Sequence, residues 1–241
     1  MQRCENTSTR SLGSRHGESG CVIRSCAVIV LFLCRGTAAL GQQPGAGVTA
    51  DEALAKLMAG NQRYTSLKGQ HPDESLARRK ELTGGQHPFA VILGCADSRV
   101  APALLFDQEP GDIFVIRVAG NIVDDAIPGS IEYAVEHLGT KFIMVLGHEN
   151  CGAISAAVEG GAAAGHLMAL VTAIQPSVRA TAKEPGDKIH NCVIENARRV
   201  ARQIRQSEPL LKVAVERNGL TVLAADYALD TGKVTLLEGH H

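Results

Sequence analysis

Residues 89–100 read FAVILGCADSRV, and this stretch is the most informative in the chain. Its apolar run, over 88–94, has the length of a strand and stops abruptly at Cys95, Asp97 and Arg99. A continuous apolar run is typical of a strand that is covered on both faces. We therefore predict a buried strand whose end carries a thiol, a carboxylate and a guanidinium as one wall of a site.

Strands and helices alternate along the rest of the chain. Further apolar runs of strand length lie at 113–118 (IFVIRV) and 141–147 (KFIMVLG), and the C-terminal part predicts two strands joined by a turn at 230–232. The spacing of apolar residues predicts helices over 128–138, 151–158, 166–180 and 189–204. This alternation predicts an α/β fold, with a mainly parallel central sheet flanked by helices and an antiparallel C-terminal edge strand.

Two helices are predicted before the first strand. Thr49 and Glu52 fit a capping box, which begins an amphipathic helix that should end at about residue 60 to 64. The polar segment 67–82 predicts a second, solvated helix. No internal repeat or long linker follows, so we predict that residues 42–241 form a single domain with this N-terminal helical arm.

Composition limits the partners that the chain is expected to have. The 241 residues are 45% hydrophobic and 20% charged, and the formal net charge is −1. A nearly neutral chain gives no reason to expect nucleic acid or an anionic membrane surface as a partner. Trp is absent and aromatic residues are few, so the core is expected to consist of Ala, Val, Ile and Leu.

The first 41 residues have the layout of a secretory signal. Arginines precede a short apolar run at 26–34 (CAVIVLFLC), and small residues follow it, with Ala39 and Gly41 at the −3 and −1 positions of a cleavage site. The run is shorter than the roughly 20 apolar residues of a membrane span. We therefore predict a signal peptide over 1–41 and an exported mature protein, periplasmic or secreted, with no stable membrane span. A cytoplasmic protein with an N-terminal extension is the alternative.

A second group of reactive residues follows the third predicted strand. The sequence GHENCGA, over 147–153, places His148 and Cys151 three residues apart. Because the carboxyl ends of parallel strands meet at one edge of a sheet, these two residues and Cys95 are expected to face one point. Two thiolates and an imidazole are ligands that zinc prefers, and three protein ligands leave the fourth position that catalytic zinc uses. Cys192 lies in mid-helix and is expected in the core.

Asp97 and Arg99 are the candidate catalytic pair. Zn²⁺ with two thiolates and a neutral imidazole has no net charge, so it should acidify a bound water less than a three-histidine site does. We expect Asp97 to orient the resulting nucleophile and Arg99 to keep that carboxylate ionised through a forked ion pair. Activity should then rise toward alkaline pH. The alternative is that the two residues form only a structural salt bridge.

Four motifs in combination resemble the β-class carbonic anhydrases: CADSR (95–99), EPGDIFVIRVAGN (109–121), SIEYAVEHLG (130–139) and GHENCGA (147–153). The resemblance implies reversible hydration of CO₂ to bicarbonate and a proton by a zinc-bound hydroxide. It implies one Zn²⁺ per subunit on Cys95, His148 and Cys151, with Asp97 and Arg99 as the catalytic dyad. It also implies a site at a subunit interface, hence a homodimer or tetramer, and a substrate pocket of Gln86, Phe114, Ala119, Tyr133 and the backbone N–H of Gly152.

The sequence departs from the family pattern in two places. Many members read Arg-Asn where this chain has Arg117-Val118, and the absence of Trp argues against the Trp-containing bicarbonate-inhibition site of some relatives. Three other functions stay open: hydrolysis of COS or CS₂ at the same site, a non-catalytic zinc-binding module, and an interaction protein with an incidental Cys/His cluster.

Overall fold

A computed structural model describes residues 47–70, 74–160 and 164–237. The predicted signal peptide, residues 1–41, lies outside these ranges. The sheet within them has five strands: β1 (Ala90–Gly94), β2 (Ile113–Arg117), β3 (Phe142–His148), β4 (Thr221–Tyr227) and β5 (Val234–Leu236).

The strands are arranged in the order β2-β1-β3-β4-β5. The first three pairings across this order are parallel, and β5 pairs antiparallel with β4 at one edge. This arrangement confirms the predicted mainly parallel sheet with an antiparallel C-terminal edge. Because β1 and β3 are neighbours and parallel, with Gly94 opposite Leu146, the residues that follow them lie at the same edge of the sheet.

Eight helices accompany the sheet in the part of the chain that the structure describes. They are α1 (Ala50–Thr65), α2 (Leu76–Leu82), α3 (Pro102–Leu105), α4 (Ala126–Glu136), α5 (Gly152–Glu159), α6 (Leu167–Thr181), α7 (Lys188–Arg205) and α8 (Leu210–Arg217). A single 3₁₀ turn, Ala119–Asn121, follows β2. None of these helices is both long enough and apolar enough to cross a membrane.

Helices cover both faces of the central strands β1 and β3, as their apolar runs predict, whereas the edge strand β2 is only partly buried. Alternate residues of β1 and β3 pack on one face against α4, α7 and α8, and the other residues pack against α1 and α3. A third apolar cluster lies at the carboxyl edge, where α5, α6 and α7 surround Cys95 and Cys151. The two cysteines therefore sit in a largely dry environment at the edge where ligands bind in open α/β sheets.

The N-terminal arm differs in part from the prediction. The capping box at Thr49 and Glu52 is present, and it begins α1 at the predicted place. The predicted second helix over 67–82 is wrong at residues 67–70, 74 and 75, which are not helical. Leu67 has φ 57, which ends helical geometry after α1, and α2 begins only where the Ser75 side chain caps it by accepting the Arg78 N–H. The short helices α3 and α8 were not predicted.

Candidate metal centre

Three residues from separate parts of the chain converge at the carboxyl edge of the sheet. Cys95 follows β1 directly, His148 is the last residue of β3, and Cys151 caps the N-terminus of α5. All three side chains are buried, and their ligand atoms lie within 4.8 Å of one another. Within the described ranges this is the one such cluster of three or more His, Cys, Asp or Glu residues.

The distance between the two sulfur atoms fits a shared metal. Sγ of Cys95 lies 3.9 Å from Sγ of Cys151, and both cysteines are free. A disulfide would need about 2.05 Å. Two thiolates on a tetrahedral zinc ion, each with a Zn–S bond of about 2.3 Å, would lie about 3.8 Å apart. The spacing therefore fits two thiolates on one metal ion as well as a hydrogen bond between the two sulfurs.

The His148 ring is held in the tautomer that a metal ligand needs. Its Nδ1 donates to the carbonyl oxygen of Glu149 at 2.8 Å, because a carbonyl oxygen can only accept. The lone pair is therefore on Nε2, which is buried and has no hydrogen-bond partner among the described residues. A buried polar atom without a partner is uncommon in a native protein, and here it faces the two thiols. The donor set and the unpaired nitrogen both fit a zinc ion.

The two clustered thiols have opposite pKa shifts. Hydrogen bonds from Cys151 and from the Gly120 N–H at 3.3 Å lower the pKa of Cys95, although burial opposes this. The hydrogen bond to Cys95 and burial raise the pKa of Cys151. Without a cation, only one of the two sulfurs is therefore a thiolate at neutral pH. A divalent ion would stabilise both thiolates.

Asp97 and Arg99 form a forked ion pair beside the cluster. The guanidinium donates from Nε to Oδ1 at 2.9 Å and from Nη2 to Oδ2 at 2.7 Å, and the Arg99 backbone N–H also donates to Oδ1 at 2.9 Å. These bonds hold the pKa of the Asp97 carboxyl well below its usual range. Oδ2 lies 3.9 Å from Nε2 of His148, so the carboxylate faces the Cys/His cluster. The Arg99 side chain also donates to the backbone oxygen of Asn150, at 3.1 Å.

Arg117 is a residue of this site to which the sequence assigned no role. It ends β2 opposite Gly94, and its side chain donates to the backbone oxygens of Cys95 at 2.9 Å and Asp97 at 2.6 Å. It therefore braces the segment that carries one ligand and the acidic member of the ion pair. The position of Arg117 at a strand end beside β1 was the one sequence signal for a role in this site. Its contacts go to backbone oxygens, and such contacts leave no pattern in the sequence.

The five predicted substrate-pocket residues fall into two groups. Ala119 begins the 3₁₀ turn whose Gly120 contacts Cys95, and Gly152 follows Cys151 at the start of α5. Gln86 and Tyr133 line a separate open cavity of about 640 Å³, to which none of the three clustered residues contributes. Phe114 lies beside Tyr133, with ring centroids 6.3 Å apart. Within one chain, only Ala119 and Gly152 of the five therefore lie next to the Cys/His cluster. A substrate-binding role for all five residues stays a prediction.

Cys192 shares an apolar cluster with Cys95 and Cys151 but is not among the three residues whose ligand atoms converge. It is fully buried on α7, in the same apolar cluster as Ile154 and Ile174, and burial raises its pKa to about 11. It therefore remains a neutral thiol at physiological pH and behaves as a core residue, as expected.

Comparison with known proteins identifies the family. The carbonic anhydrase family model matches residues 90–234. Carbonic anhydrase 2 of Mycobacterium tuberculosis is 36% identical over 188 residues, which cover 76% of this chain and 91% of that protein. The carbonic anhydrase of Mycolicibacterium smegmatis is 35% identical, with the same coverage. This chain therefore belongs to the β-carbonic anhydrases, a family of enzymes, and the resemblance read from its motifs is confirmed.

Solved structures of the family share the fold. A tetrameric β-carbonic anhydrase of Sordaria macrospora superimposes with a TM-score of 0.65 at 26% identity, covering 77% of this chain and 97% of that one. A Coccomyxa β-carbonic anhydrase in complex with acetazolamide gives a TM-score of 0.60 at 29% identity, covering 76% of this chain and 86% of its own. The sheet and helices described above are thus those of the family.

Proposed function

We propose that this protein is a zinc-dependent carbonic anhydrase, which converts CO₂ and water reversibly into bicarbonate and a proton. The observation that carries the proposal is the convergence of the Cys95, His148 and Cys151 ligand atoms within 4.8 Å, beside the Asp97–Arg99 ion pair. A soft three-ligand set leaves one position open, and an ionised carboxylate faces the same point. Family membership supplies CO₂ as the substrate.

Cys95, His148 and Cys151 would hold one zinc ion per subunit. When bound, zinc would supply a Lewis acid and acidify a water molecule for attack on a small electrophile. The two thiolates and the neutral imidazole balance the charge of Zn²⁺, so that acidification is weaker than at a three-histidine site. The protein side chains around the ion must therefore contribute to forming and directing the nucleophile.

Asp97 is suited to direct that nucleophile. Its Oδ1 accepts two hydrogen bonds from Arg99, whereas its Oδ2 accepts one and lies nearer to the metal ligands. A carboxylate oxygen has about two acceptor positions, so Oδ2 retains one that can accept a hydrogen bond from the attacking water. Arg99 keeps the carboxylate ionised throughout, because their forked pair stabilises the charged form. Asp97 thus holds the nucleophile in one orientation while CO₂ approaches.

The substrate pocket is proposed to need two subunits. Ala119 and the backbone N–H of Gly152 would contact CO₂ or bicarbonate from the subunit that holds the zinc. Gln86, Phe114 and Tyr133 would line the pocket of a neighbouring subunit, since Gln86 and Tyr133 border a cavity outside the cluster and Tyr133 is 48% exposed. A homodimer or tetramer follows from this arrangement. Sedimentation velocity that finds only a fully active monomer would contradict it.

Export is proposed on the sequence of the first 41 residues alone, with its arginines, short apolar run and small-residue cleavage site. Residues 42–241 would then be the mature domain. N-terminal sequencing of the protein recovered from the cell envelope should begin at Gln42. Protein that is found in the cytosol and still begins at Met1 would contradict export.

Stopped-flow hydration of CO₂ tests the proposed activity. The wild-type protein should hydrate CO₂ faster as pH rises above 7, because a deprotonated water is required. Cys151→Ser should lose the activity, while Cys192→Ser, which changes a buried cysteine that is not among the three proposed zinc ligands, should keep it. A wild-type rate no faster than buffer would reject the proposal. If the same protein then hydrolysed COS or CS₂, the proposed substrate would be wrong, whereas the proposed zinc site would stand.

A further inference from the structure

A buried polar network connects helix α7 to the 3₁₀ turn beside Cys95. Asn196 is only 1% exposed and lies on the apolar stripe of α7, next to the buried Ala197. Its amide is nevertheless fully engaged: Nδ2 donates to the backbone oxygen of Gly120 at 2.9 Å, and Oδ1 accepts from Oγ of Ser177 at 3.2 Å. Buried amides are retained where their hydrogen bonds are satisfied, and both ends of this one are.

The orientation of the Asn196 amide follows from its partners. The backbone oxygen of Gly120 can only accept, so the nitrogen of the amide must face it. The Ser177 hydroxyl then donates to the amide oxygen, and Ser177 lies on α6, where Thr181 packs one turn further on. In a flipped amide, the Asn196 oxygen would face the backbone oxygen of Gly120, and two acceptors would lie against each other. Helices α6 and α7 therefore together hold Nδ2 of Asn196 against the backbone oxygen of Gly120.

Gly120 relays this contact to the metal centre. Its φ of 71 and ψ of 18 belong to the left-handed region, and its N–H donates to Sγ of Cys95 at 3.3 Å. A Cβ at this position would lie 2.9 Å from Cδ1 of Ile174 and 3.2 Å from Cβ of Ala153, so only glycine fits without movement. Asn196 holds the carbonyl of Gly120, and Cys95 receives the N–H of the same residue.

We infer that Asn196 is a positioning residue of the metal centre, which keeps the Gly120 N–H directed at the Cys95 thiolate. This inference rests on the proposed function, because it takes the Cys95 sulfur to be a metal ligand. A hydrogen bond to a ligand sulfur withdraws electron density from it and fixes its direction toward the ion, and partners of this kind tune metal affinity. Asn196 acts without touching the ligand, through Gly120, which lies 76 residues earlier in the chain.

The test uses the full chain loaded with Co²⁺ in place of zinc, because thiolate-to-cobalt charge-transfer absorption reports on the sulfur directly. Asn196→Leu keeps approximate size without the donor, and Asn196→Asp places an acceptor against the Gly120 oxygen. Val200→Ala is the matched control, since Val200 is buried on the same helix and packs in another cluster. Co²⁺ affinity is measured by competition with a chelating dye, and folding is checked by circular dichroism and urea unfolding.

Both Asn196 variants should bind Co²⁺ about tenfold more weakly, at the lower end of what loss of such an indirect partner costs. Their charge-transfer band should move to longer wavelength, because the sulfur regains electron density. Val200→Ala should lose stability while its Co²⁺ affinity and band stay at the wild-type values. Wild-type affinity and band position in both Asn196 variants would overturn the inference.

A second variant keeps the test decisive if Asn196→Leu does not fold. Ser177→Ala removes the hydroxyl that orients the amide and leaves the contact with Gly120, so it should shift the band in the same direction by less. An unchanged band in both Ser177→Ala and Asn196→Asp would overturn the inference. A wild-type chain that binds neither Co²⁺ nor zinc would instead reject the metal centre itself, so the two failures are distinguishable.

Discussion

The sulfur atoms of Cys95 and Cys151 lie 3.9 Å apart, although the two residues are 56 positions apart in the chain. The parallel pairing of β1 with β3 creates this proximity, because Cys95 follows one strand and Cys151 follows the turn after the other. Sulfur atoms at this distance are too far apart for a disulfide and correctly spaced for one tetrahedral zinc ion.

Replacing either sulfur should release the metal. Cys95→Ser and Cys151→Ser each exchange a thiolate for a hydroxyl, which is a poor zinc ligand at neutral pH. We expect the zinc content after dialysis against a mild chelator to fall from one ion per subunit to nearly none. Cys192→Ser is the control and should retain its zinc, because Cys192 lies outside the cluster. Elemental analysis measures all three, and zinc retained by both cluster variants would contradict the assignment.

Asp97→Asn should separate metal binding from catalysis. The amide keeps the shape of the side chain but loses its charge, the forked pair with Arg99 and the acceptor at Oδ2. We expect kcat/KM for CO₂ hydration to fall by about 10²-fold or more, with zinc content unchanged. Asp112→Asn, a half-buried carboxyl paired with Arg78 away from the cluster, should leave the rate unchanged. If Asp97→Asn hydrated CO₂ at the wild-type rate, the Asp97–Arg99 pair would be only a structural salt bridge.

Gly120→Ala should destabilise the fold more than the backbone conformation alone explains. Gly120 and Gly219 have nearly equal φ, at 71 and 70, but a Cβ meets nearby side chains only at Gly120. Left-handed geometry costs an alanine roughly 1–2 kcal/mol, and this is the loss expected for Gly219→Ala. Gly120→Ala should lose more, because Ile174 must move. Urea unfolding measures the loss of stability in Gly120→Ala and Gly219→Ala. Equal losses would show that the 3₁₀ turn accommodates a Cβ at residue 120 without a clash.

Asp226→Asn should stabilise the protein at neutral pH. Burial raises the pKa of Asp226 in the folded state, with Glu149 adding to the effect and His190 and His148 opposing it. Its Oδ1 is buried and finds no hydrogen bond in the residues that the structure covers. An unfolded aspartate has a pKa of about 3.9, so between that value and the folded pKa the native state binds more protons. Stability therefore falls as pH rises through that window, and the asparagine variant escapes the loss.

Urea unfolding at two pH values checks this prediction. The variant should exceed the wild type at pH 7, and the gain should vanish below about pH 4, where the carboxyl is protonated in both states. A variant less stable than the wild type at pH 7 would mean that the ion pair with His190, at 3.9 Å, outweighs the cost of burial.

Much of the fold follows from the sequence because its signals are local. Uninterrupted apolar runs identify β1, β2 and β3, and the capping box identifies the start of α1. The four-residue helix α3 was missed because one turn gives no periodicity. Helix α8 was also missed, although it is as long as α5, which was predicted. The 67–82 segment was misjudged because composition favoured a helix, while the Ser75 cap determined where α2 begins.

The site was partly predictable for a related reason. Cys95, His148 and Cys151 carry side chains whose chemistry is visible in the sequence, and parallel pairing of their strands brings them together. Arg117 and Asn196 act through backbone oxygens of other segments. The partners of such contacts depend on register and on helix packing, so neither residue differs in the sequence from an ordinary arginine or asparagine.

Removal and return of zinc, followed by stopped-flow hydration of CO₂, tests the central claim most directly. A single preparation of the wild-type chain is stripped with a chelator, assayed, and then titrated with Zn²⁺ while activity and bound metal are both measured. The stripped protein should be inactive, and activity should return in proportion to zinc, reaching its maximum at one ion per subunit. Full activity in the stripped protein, or no activity in the fully loaded protein, would contradict that claim.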